Sequence, residues 1–166
     1  KKILIEKQAF PSDRYAVQSQ LKFHGNDPNE DLILLEPDDG EFISMSAIMN
    51  YLNSYGEEIA LVLIGGVNYY TGQAFDMAAI TDKAQNCGCR VGYDLAHAAG
   101  NIKLNLHDWG VDFATWCGYK YLNGGPGAPS GIFIHERHLG RYDFPRFEGW
   151  WGHDKSTRFQ MPDNFK

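Results

Sequence analysis

The chain has 166 residues, enough for one hydrophobic core, and its 43% hydrophobic and 22% charged residues are typical of an ordinary globular protein. The formal net charge of -6 and the pI near 5.4 argue against a nucleic-acid-binding protein, which needs a basic face. No apolar run approaches the roughly 20 residues of a membrane-spanning helix, so membrane insertion is not expected either.

Short apolar runs alternate with amphipathic segments along the chain. In chain order the pattern predicts a strand at Lys2–Glu6, a helix at Pro11–Phe23, a strand at Leu32–Leu35, a helix at Ser44–Tyr55, a strand at Ile59–Ile64, a helix at Asp76–Gln85, and strands at Arg90–Leu95, Phe113–Cys117 and Gly131–His135. The unbroken apolar run at Ile59–Ile64 is typical of a strand buried on both faces of a parallel sheet. We therefore expect an α/β fold with a mostly parallel sheet flanked by helices.

Polar residues follow several of these strands, where ligands gather in open parallel sheets. Asp94, Lys120, Phe10 and the Gly65-Gly66 pair all fall at carboxyl ends. An acid and an amine in such positions suit pyridoxal 5'-phosphate, because the amine forms a Schiff base and the acid keeps the pyridine nitrogen protonated. Each residue alone is a weak signal. A Lys after a strand is usually solvated, and an alternative role for Asp94 is to cap a helix that starts at Leu95 or Ala96.

Longer motifs strengthen this interpretation. GYDLAHAAGN, LHDWGVDFATWCGYKYLNGGPG and EGWWGHDKSTRFQM, with GGVNYYTGQAFDMAAIT and FPSD upstream, resemble the kynureninase family of pyridoxal-phosphate enzymes, which has the aspartate-aminotransferase fold type I. The resemblance covers nearly the whole chain. Family members are much longer, so we expect residues 1–166 to be one domain, a partial cofactor-binding large domain from the central part of a subunit.

The resemblance implies a role for each matching residue around the cofactor ring. Lys120 would be the catalytic Schiff-base lysine and the base that moves protons, and Asp94 would face the pyridine nitrogen. His97 would lie near the ring or its 3-hydroxyl side. Within FPSD, Phe10 would stack on the ring. Its neighbours Pro11, Ser12 and Asp13 would begin a helix, and the latter two would both cap that helix and hydrogen-bond the cofactor.

The phosphate end is less complete in this sequence. Tyr119 would bind the phosphate through its hydroxyl, and Trp150 would approach it from the partner subunit. Gly65 stands where some family members have a hydroxyl residue, so one phosphate contact is lost or made by the backbone. The remaining phosphate ligands and the arginine for the substrate carboxylate would lie outside this chain.

The implied activity is hydrolysis of L-kynurenine to anthranilate and L-alanine, a step of tryptophan catabolism and NAD biosynthesis. L-kynurenine and 3-hydroxykynurenine both remain open as substrates. A homodimer is expected, with no nucleic-acid partner, membrane partner or metal. Two alternatives stay open: another fold-type-I enzyme, either a cysteine desulfurase or an aminotransferase, and a non-catalytic fragment. Desulfurases usually carry His before the Schiff-base lysine, where this chain has Tyr119, and need a mobile Cys, whereas Cys117 falls in a predicted strand.

Three cysteines, Cys87, Cys89 and Cys117, are an odd number. With Cys117 in an apolar run, they indicate reduced thiols in a cytoplasmic protein. The start of the chain, KKILIEKQAF, also lacks the apolar core of a secretory signal. No second Cys or His pair stands at ligand spacing from Cys87 and Cys89, so a metal site is not predicted.

Overall fold

The computed structural model describes residues 1–140 and 147–166. Its strands are β1 Lys2–Glu6, β2 Leu32–Leu35, β3 Ile59–Gly65, β4 Arg90–Asp94, β5 Phe113–Trp116 and β6 Gly131–Ile134. They form one sheet in the order β2-β1-β3-β4-β5-β6, in which β1 to β5 run parallel and β6 runs antiparallel to β5. The predicted mostly parallel sheet with flanking helices is confirmed.

The α-helices are α1 Pro11–Phe23, α2 Pro28–Asp31, α3 Met45–Tyr55 and α4 Met77–Asn86. Helix α1 has the predicted bounds. Helices α3 and α4 begin one residue later than predicted, because Ser44 and Asp76 are N-caps that accept hydrogen bonds from backbone nitrogens in the first turn. The four-residue α2 was not predicted, and Asp27 caps it. None of the helices in the described residues is both long and apolar enough to cross a membrane.

One alternative and one prediction about helix starts are wrong. No helix begins at Leu95 or Ala96, because residues 95–100 form hydrogen-bonded turns. The N-cap of α1 is Phe10, and neither Ser12 nor Asp13 caps this helix, since both lie inside its first turn. The strand predicted to end at Cys117 ends at Trp116, so the thiol lies just beyond β5.

The sheet is covered on both faces, as its apolar strands require. Helices α3 and α4 pack on one face, over a large cluster that includes Leu4, Val62 and Val91. Helix α1 packs on the other face through a smaller cluster of four residues: Ile3, Ile5, Val17 and Leu21. Successive residues of β1 thus point to opposite layers, as the pleat of a strand dictates.

The parallel register brings the functional loops to one edge of the sheet. Gly65 at the end of β3 lies opposite Asp94 at the end of β4, and Asp94 lies opposite Thr115 in β5. The loops that follow β1, β3, β4 and β5 therefore emerge side by side. This edge is where the sequence analysis predicts the ligand site.

Candidate active site

The loops after β4 and β5 bring the predicted lysine and histidine together. Lys120 Nζ lies 3.1 Å from His97 Nε2 and 5.7 Å from the centroid of the Phe10 ring. In the described part of the chain, no carboxylate forms a salt bridge with Lys120, although Asp13 is close enough for their charges to interact. The amine therefore faces an imidazole and an aromatic ring.

The segment around Lys120 is shaped by close backbone contacts. Asn123 donates its backbone N–H to the Lys120 carbonyl at 3.0 Å, and Gly124 donates to the Gly118 carbonyl at 2.9 Å. A Cβ on Gly118 would lie 2.2 Å from the carbonyl oxygen of Pro129, so only glycine fits there. The small residues around the lysine thus allow two chain segments to pass close together and hold Lys120 at the sheet edge.

The turn after β4 places Asp94 and His97. Leu95 donates its backbone N–H to the Thr115 carbonyl at 2.7 Å, and Asp94 Oδ1 accepts from the Ala96 backbone N–H at 2.7 Å. Leu95 and Ala98 are fully buried. Because these two apolar side chains anchor the turn in the core, His97 between them projects toward the lysine.

Asp13 and Asp94 form a pair of neighbouring carboxyls. Burial, together with the charge and hydrogen bonding of Asp94, raises the pKa of Asp13 to about 7, against the opposing effect of the Lys120 charge. Two carboxyls this close do not ionise independently. Asp13 therefore keeps its proton through the weakly acidic range.

His97 is poised as a neutral base. Burial lowers its pKa below the usual range, and the positive charge of Lys120 lowers it further. The ring of Tyr121 packs edge-on against the imidazole at 5.9 Å between centroids. Tyr121 was not predicted as a site residue, although its position directly after Lys120 could have indicated one.

Phe10 presents a partly open ring next to the lysine. Its ring is 43% exposed and is held from one side by Tyr69, in an edge-on contact at 5.2 Å between centroids. Pro11 occupies the first turn of α1, and the exposed Ser12 side chain makes no hydrogen bond to another described residue. Tyr69, in the loop after β3, was missed by the sequence analysis because only the tertiary fold brings it to Phe10.

Among the described residues, the Lys120 amine makes no hydrogen bond or cation–π contact with Tyr119 or Trp150. The Tyr119 hydroxyl is hydrogen-bonded with the Cys117 thiol, which raises the tyrosine pKa, and it borders an open cavity of about 380 Å³ next to Gly125 and Gly127. Trp150 Nε1 donates to the Arg158 carbonyl at 3.0 Å. Their predicted contacts with a phosphate therefore stay predictions.

Glu6 and Asn68 are buried polar residues at the same edge, and the sequence analysis passed over both. Glu6 is the last residue of β1, and Asn68 lies in the loop after β3. They are hydrogen-bonded to each other. The sequence did offer one indication of Glu6, because this acid ends the mainly apolar run KILIE at the edge of the sheet where ligands were predicted to bind.

These residues fit the ring of pyridoxal phosphate. An amine free of a salt bridge is suited to an aldehyde, a carboxyl pair to a ring nitrogen, and an exposed aromatic face to a flat ring. All three groups lie around Lys120. Among the described residues, no cluster of three His, Cys, Asp or Glu side chains has a geometry that could hold a metal ion.

Comparisons with known proteins place this geometry in a family. The sequence profile of aminotransferase class V matches residues 13–140. A kynureninase from Myxococcus xanthus is 59% identical over 99% of this chain and 39% of its own length. A kynureninase from Nematostella vectensis is 55% identical over 99% of this chain and 36% of its own length. The chain thus spans about two fifths of the curated relatives it matches, and the predicted resemblance is confirmed.

Solved structures agree on the fold. The cystine C-S lyase C-DES, in complex with its reaction product cysteine persulfide, superposes with a TM-score of 0.72 at 24% identity, covering 93% of this chain and 40% of that one. A cysteine desulfurase from Escherichia coli superposes with a TM-score of 0.70 at 16% identity, covering 84% and 33%. With the family profile spanning most of the sequence, the chain belongs to the aminotransferase class-V family.

Proposed function

We propose that this chain is part of a pyridoxal-phosphate-dependent hydrolase that cleaves L-kynurenine to anthranilate and L-alanine. The observation that carries the proposal is the Lys120 amine, which lies 3.1 Å from a neutral imidazole and beside an exposed aromatic ring. The similarity to kynureninases at 55–59% identity supports the substrate, which the site residues alone do not define.

The cofactor would be held by residues at the carboxyl edge of the sheet. Lys120 would carry it covalently, Asp94 with Asp13 would face its ring nitrogen, and Phe10 would cover one face of the ring. His97 would lie near the ring or its 3-hydroxyl side. When bound, pyridoxal phosphate supplies a protonated ring that takes up electrons from the bonds broken in the substrate.

Lys120 and His97 are the two groups placed to take part in proton transfer during the reaction. Burial and the lysine charge lower the pKa of His97, which favours the neutral imidazole, and His97 Nε2 lies within hydrogen-bond distance of Lys120 Nζ. Attack on an aldehyde requires a neutral Nζ with a free lone pair, and the imidazole is the hydrogen-bonding group beside it. Once an amino-acid substrate takes the place of the lysine, Nζ is the base available for the α-carbon proton.

The overall reaction consumes one water molecule. The bond between the β-carbon and the γ-carbonyl carbon of kynurenine breaks. The hydroxyl of water joins the carbonyl carbon, which gives anthranilic acid, and its hydrogen joins the β-carbon, which gives alanine. The carboxyl pair of Asp13 and Asp94 would keep the ring nitrogen protonated while charge develops.

The remaining roles belong to the same proposal. Tyr119 and Ser12 would bind the phosphate or the ring substituents, and Trp150 would approach the phosphate from the partner in a homodimer. Residues 1–166 would form one domain, a part of the cofactor-binding large domain. The protein would act in the cytoplasm, in tryptophan catabolism and NAD biosynthesis, on L-kynurenine or 3-hydroxykynurenine.

Borohydride trapping tests the cofactor and its lysine together. The full-length protein is mixed with pyridoxal phosphate, reduced with borohydride and mapped by peptide mass spectrometry. We expect a visible absorbance band before reduction and an adduct on Lys120. The Lys120→Ala variant should lose the adduct, and its turnover should fall by at least about a thousandfold. Lys103→Ala, at an exposed lysine, should change neither.

Turnover separates the candidate substrates. L-kynurenine and 3-hydroxykynurenine are assayed for release of alanine, and L-cysteine for release of sulfide. Alanine from either kynurenine supports the proposed hydrolase. Sulfide from cysteine with no kynurenine cleavage would refute it and favour a desulfurase, despite the hydrogen bond that links Cys117 to Tyr119. A protein that forms no adduct on Lys120 would overturn the cofactor assignment itself.

A further inference from the structure

Glu6 is a buried acid that the proposed chemistry leaves unused. Its side chain ends β1 and is 2% exposed, and no cationic side chain of the described residues forms a salt bridge with it. Its two oxygens instead accept from the Gly65 backbone N–H at 3.2 and 3.1 Å, and Oε1 accepts from Asn68 Nδ2 at 3.3 Å. Burial raises the pKa of Glu6 to about 7. The three hydrogen bonds are the main interactions that offset the cost of burying its carboxyl group.

Asn68 connects two loops with every polar atom of its side chain. Nδ2 donates to Glu6 and, at 3.1 Å, to the Gln8 carbonyl in the loop between β1 and α1. Oδ1 accepts from the backbone N–H groups of Tyr70 at 2.9 Å and Thr71 at 3.0 Å, in the loop between β3 and α4, and from the Thr71 hydroxyl at 3.2 Å. The side chain is 5% exposed, so water offers little competition for these bonds.

The two bridged loops carry the aromatic residues of the site. Phe10 ends the first loop, and Tyr69 stands in the second, next to Asn68. Their rings meet edge-on at 5.2 Å, and the Phe10 ring in turn lies 5.7 Å from Lys120 Nζ. Because Phe10 is partly exposed and has no polar anchor of its own, its position depends on the backbone of its loop and on Tyr69.

Gly65 belongs to the same arrangement. A Cβ at this position would lie 3.0 Å from Glu6 Oε1, closer than nearly all real Cβ contacts. Any side chain at position 65 would therefore crowd the buried Glu6 carboxyl. The contacts of Glu6 therefore give a structural reason for glycine at position 65, where the sequence alone had indicated a lost phosphate contact.

We propose that Glu6 and Asn68 are positioning residues of this site, which join the two loops and thereby set the Phe10 ring beside the Lys120 amine. The proposal rests on the proposed function, in which Phe10 covers the cofactor ring. It assigns neither residue a contact with the cofactor or substrate. Their effect reaches the site through the two loops.

The test compares variants of the full-length protein that break the bridge in different ways. Asn68→Leu removes the hydrogen bonds at similar size, and Tyr69→Ala removes the ring contact while leaving the hydrogen bonds of Asn68 intact. Glu6→Gln keeps an acceptor for the Gly65 N–H and serves as the conservative variant. Glu36→Gln is the matched control, because Glu36 follows the neighbouring β2 and its ion pair with Lys7 is exposed.

Two readouts are measured, the dissociation constant of pyridoxal phosphate and amide hydrogen exchange of the cofactor-free protein. We expect Asn68→Leu and Tyr69→Ala to weaken cofactor binding by about tenfold, the usual effect of one unsatisfied buried group or a lost ring contact. Asn68→Leu should also speed exchange at residues 7–10 and 66–76 while leaving 90–94 and 113–116 unchanged. Glu6→Gln should bind within about threefold of the unsubstituted protein, and Glu36→Gln should match it.

The outcomes separate this proposal from the function beneath it. If the unsubstituted protein forms the Lys120 adduct, but Asn68→Leu and Tyr69→Ala bind the cofactor normally, only the positioning role is refuted. Unchanged exchange in the two loops of a folded Asn68→Leu protein refutes it as well. If the unsubstituted protein forms no adduct, the proposed function fails first and the positioning role falls with it.

Discussion

The carboxyls of Asp13 and Asp94 give the site its own acid–base behaviour. Asp13 is raised to a pKa of about 7 by burial and by Asp94, and Lys120 only partly offsets this. Asp13 is therefore partly protonated near neutral pH. A carboxylate beside a protonated ring nitrogen stabilises the charge of that ring. Asp13, within the FPSD motif, is thus the member of this pair whose pKa is shifted by burial and by its neighbour.

Replacing Asp13 should change the pH dependence of stability. Because the folded-state pKa of Asp13 lies above its usual value of about 3.9, its contribution to stability is full below that value and is lost as the pH rises through about 7. In Asp13→Asn this decline should be smaller between about pH 4 and 7, as measured by the melting temperature of the cofactor-free protein.

The control for this prediction is Asp82→Asn, at an exposed position of α4. It should leave the pH profile of the melting temperature unchanged. Part of the decline should persist in Asp13→Asn, because Glu6 also has a pKa raised to about 7 by burial. A profile identical to that of the unsubstituted protein would show that Asp13 does not titrate in this range.

Helix α4 follows the loop that carries Asn68 and Tyr69, so its start determines where that loop ends. Asp76 caps the helix by accepting from the Ala79 backbone N–H at 3.0 Å. One turn further on, the buried Thr81 hydroxyl lies 3.0 Å from the Tyr93 hydroxyl, which in turn donates to the Met77 carbonyl at 3.0 Å. These contacts fix the first turns of α4 against β4.

Removing the cap should destabilise the protein by a predictable amount. Asp76→Ala should lower the free energy of unfolding by about 1 kcal/mol, because one backbone donor of the first turn loses its partner. Asp76→Asn should lower the free energy of unfolding by only a few tenths of a kcal/mol, which is about the limit of detection. Urea unfolding measures both. Equal stability of Asp76→Ala and the unsubstituted protein would contradict the assigned cap.

The candidate site and a major stabilising residue lie at opposite ends of the parallel strands. Site residues lie at the carboxyl ends of the strands, whereas Asp112 precedes β5 at the opposite edge and is 3% exposed. Asp112 accepts from the Val91 backbone N–H at 2.8 Å, from Gln85 at 3.1 Å, and from Arg137 at 2.7 Å, with His138 at the same distance. One carboxylate thus connects β4, α4 and the segment after β6.

Loss of this carboxylate should affect stability and leave the site chemistry intact. Asp112→Ala should lower the free energy of unfolding at pH 7 by on the order of 2–4 kcal/mol, because several donors lose their common acceptor. Burial acts to raise the pKa of Asp112, but hydrogen bonds from Arg137, Val91, His138 and Gln85 outweigh it and hold the pKa below its usual value.

The sign of that shift sets the pH range of the effect. A lowered folded-state pKa means that the contribution is present above about pH 4 and is lost as the pH falls below it. The difference between Asp112→Ala and the unsubstituted protein in urea unfolding should therefore shrink toward pH 3. Asp108→Ala, at an exposed acid whose ion pair is with the exposed His107, is the control and should change stability little. A difference that persists in acid would contradict the role of the charge.

The local sequence predicted the elements well because the information for each lies within a few residues. The apolar run of β3 and the bounds of α1 follow from hydrophobic pattern and from proline at a helix start. The errors are at ends, where competing local hydrogen bonds decide. The turn after Asp94 replaces a helix because the backbone of Leu95 bonds across to Thr115 in the neighbouring strand.

The sequence by itself determined the parallel α/β fold, the edge that carries the site, and Lys120, Asp94 and His97 as its candidate residues. Only the tertiary structure decided that Asp13 meets Asp94, that Tyr69 supports Phe10, and that Glu6 joins Asn68. These pairs are far apart in the chain and meet because β1 pairs with β3, which in turn pairs with β4. Hydrophobic pattern specifies which side of a strand is buried. Which strands become neighbours is settled by the packing of the whole sheet and its helices.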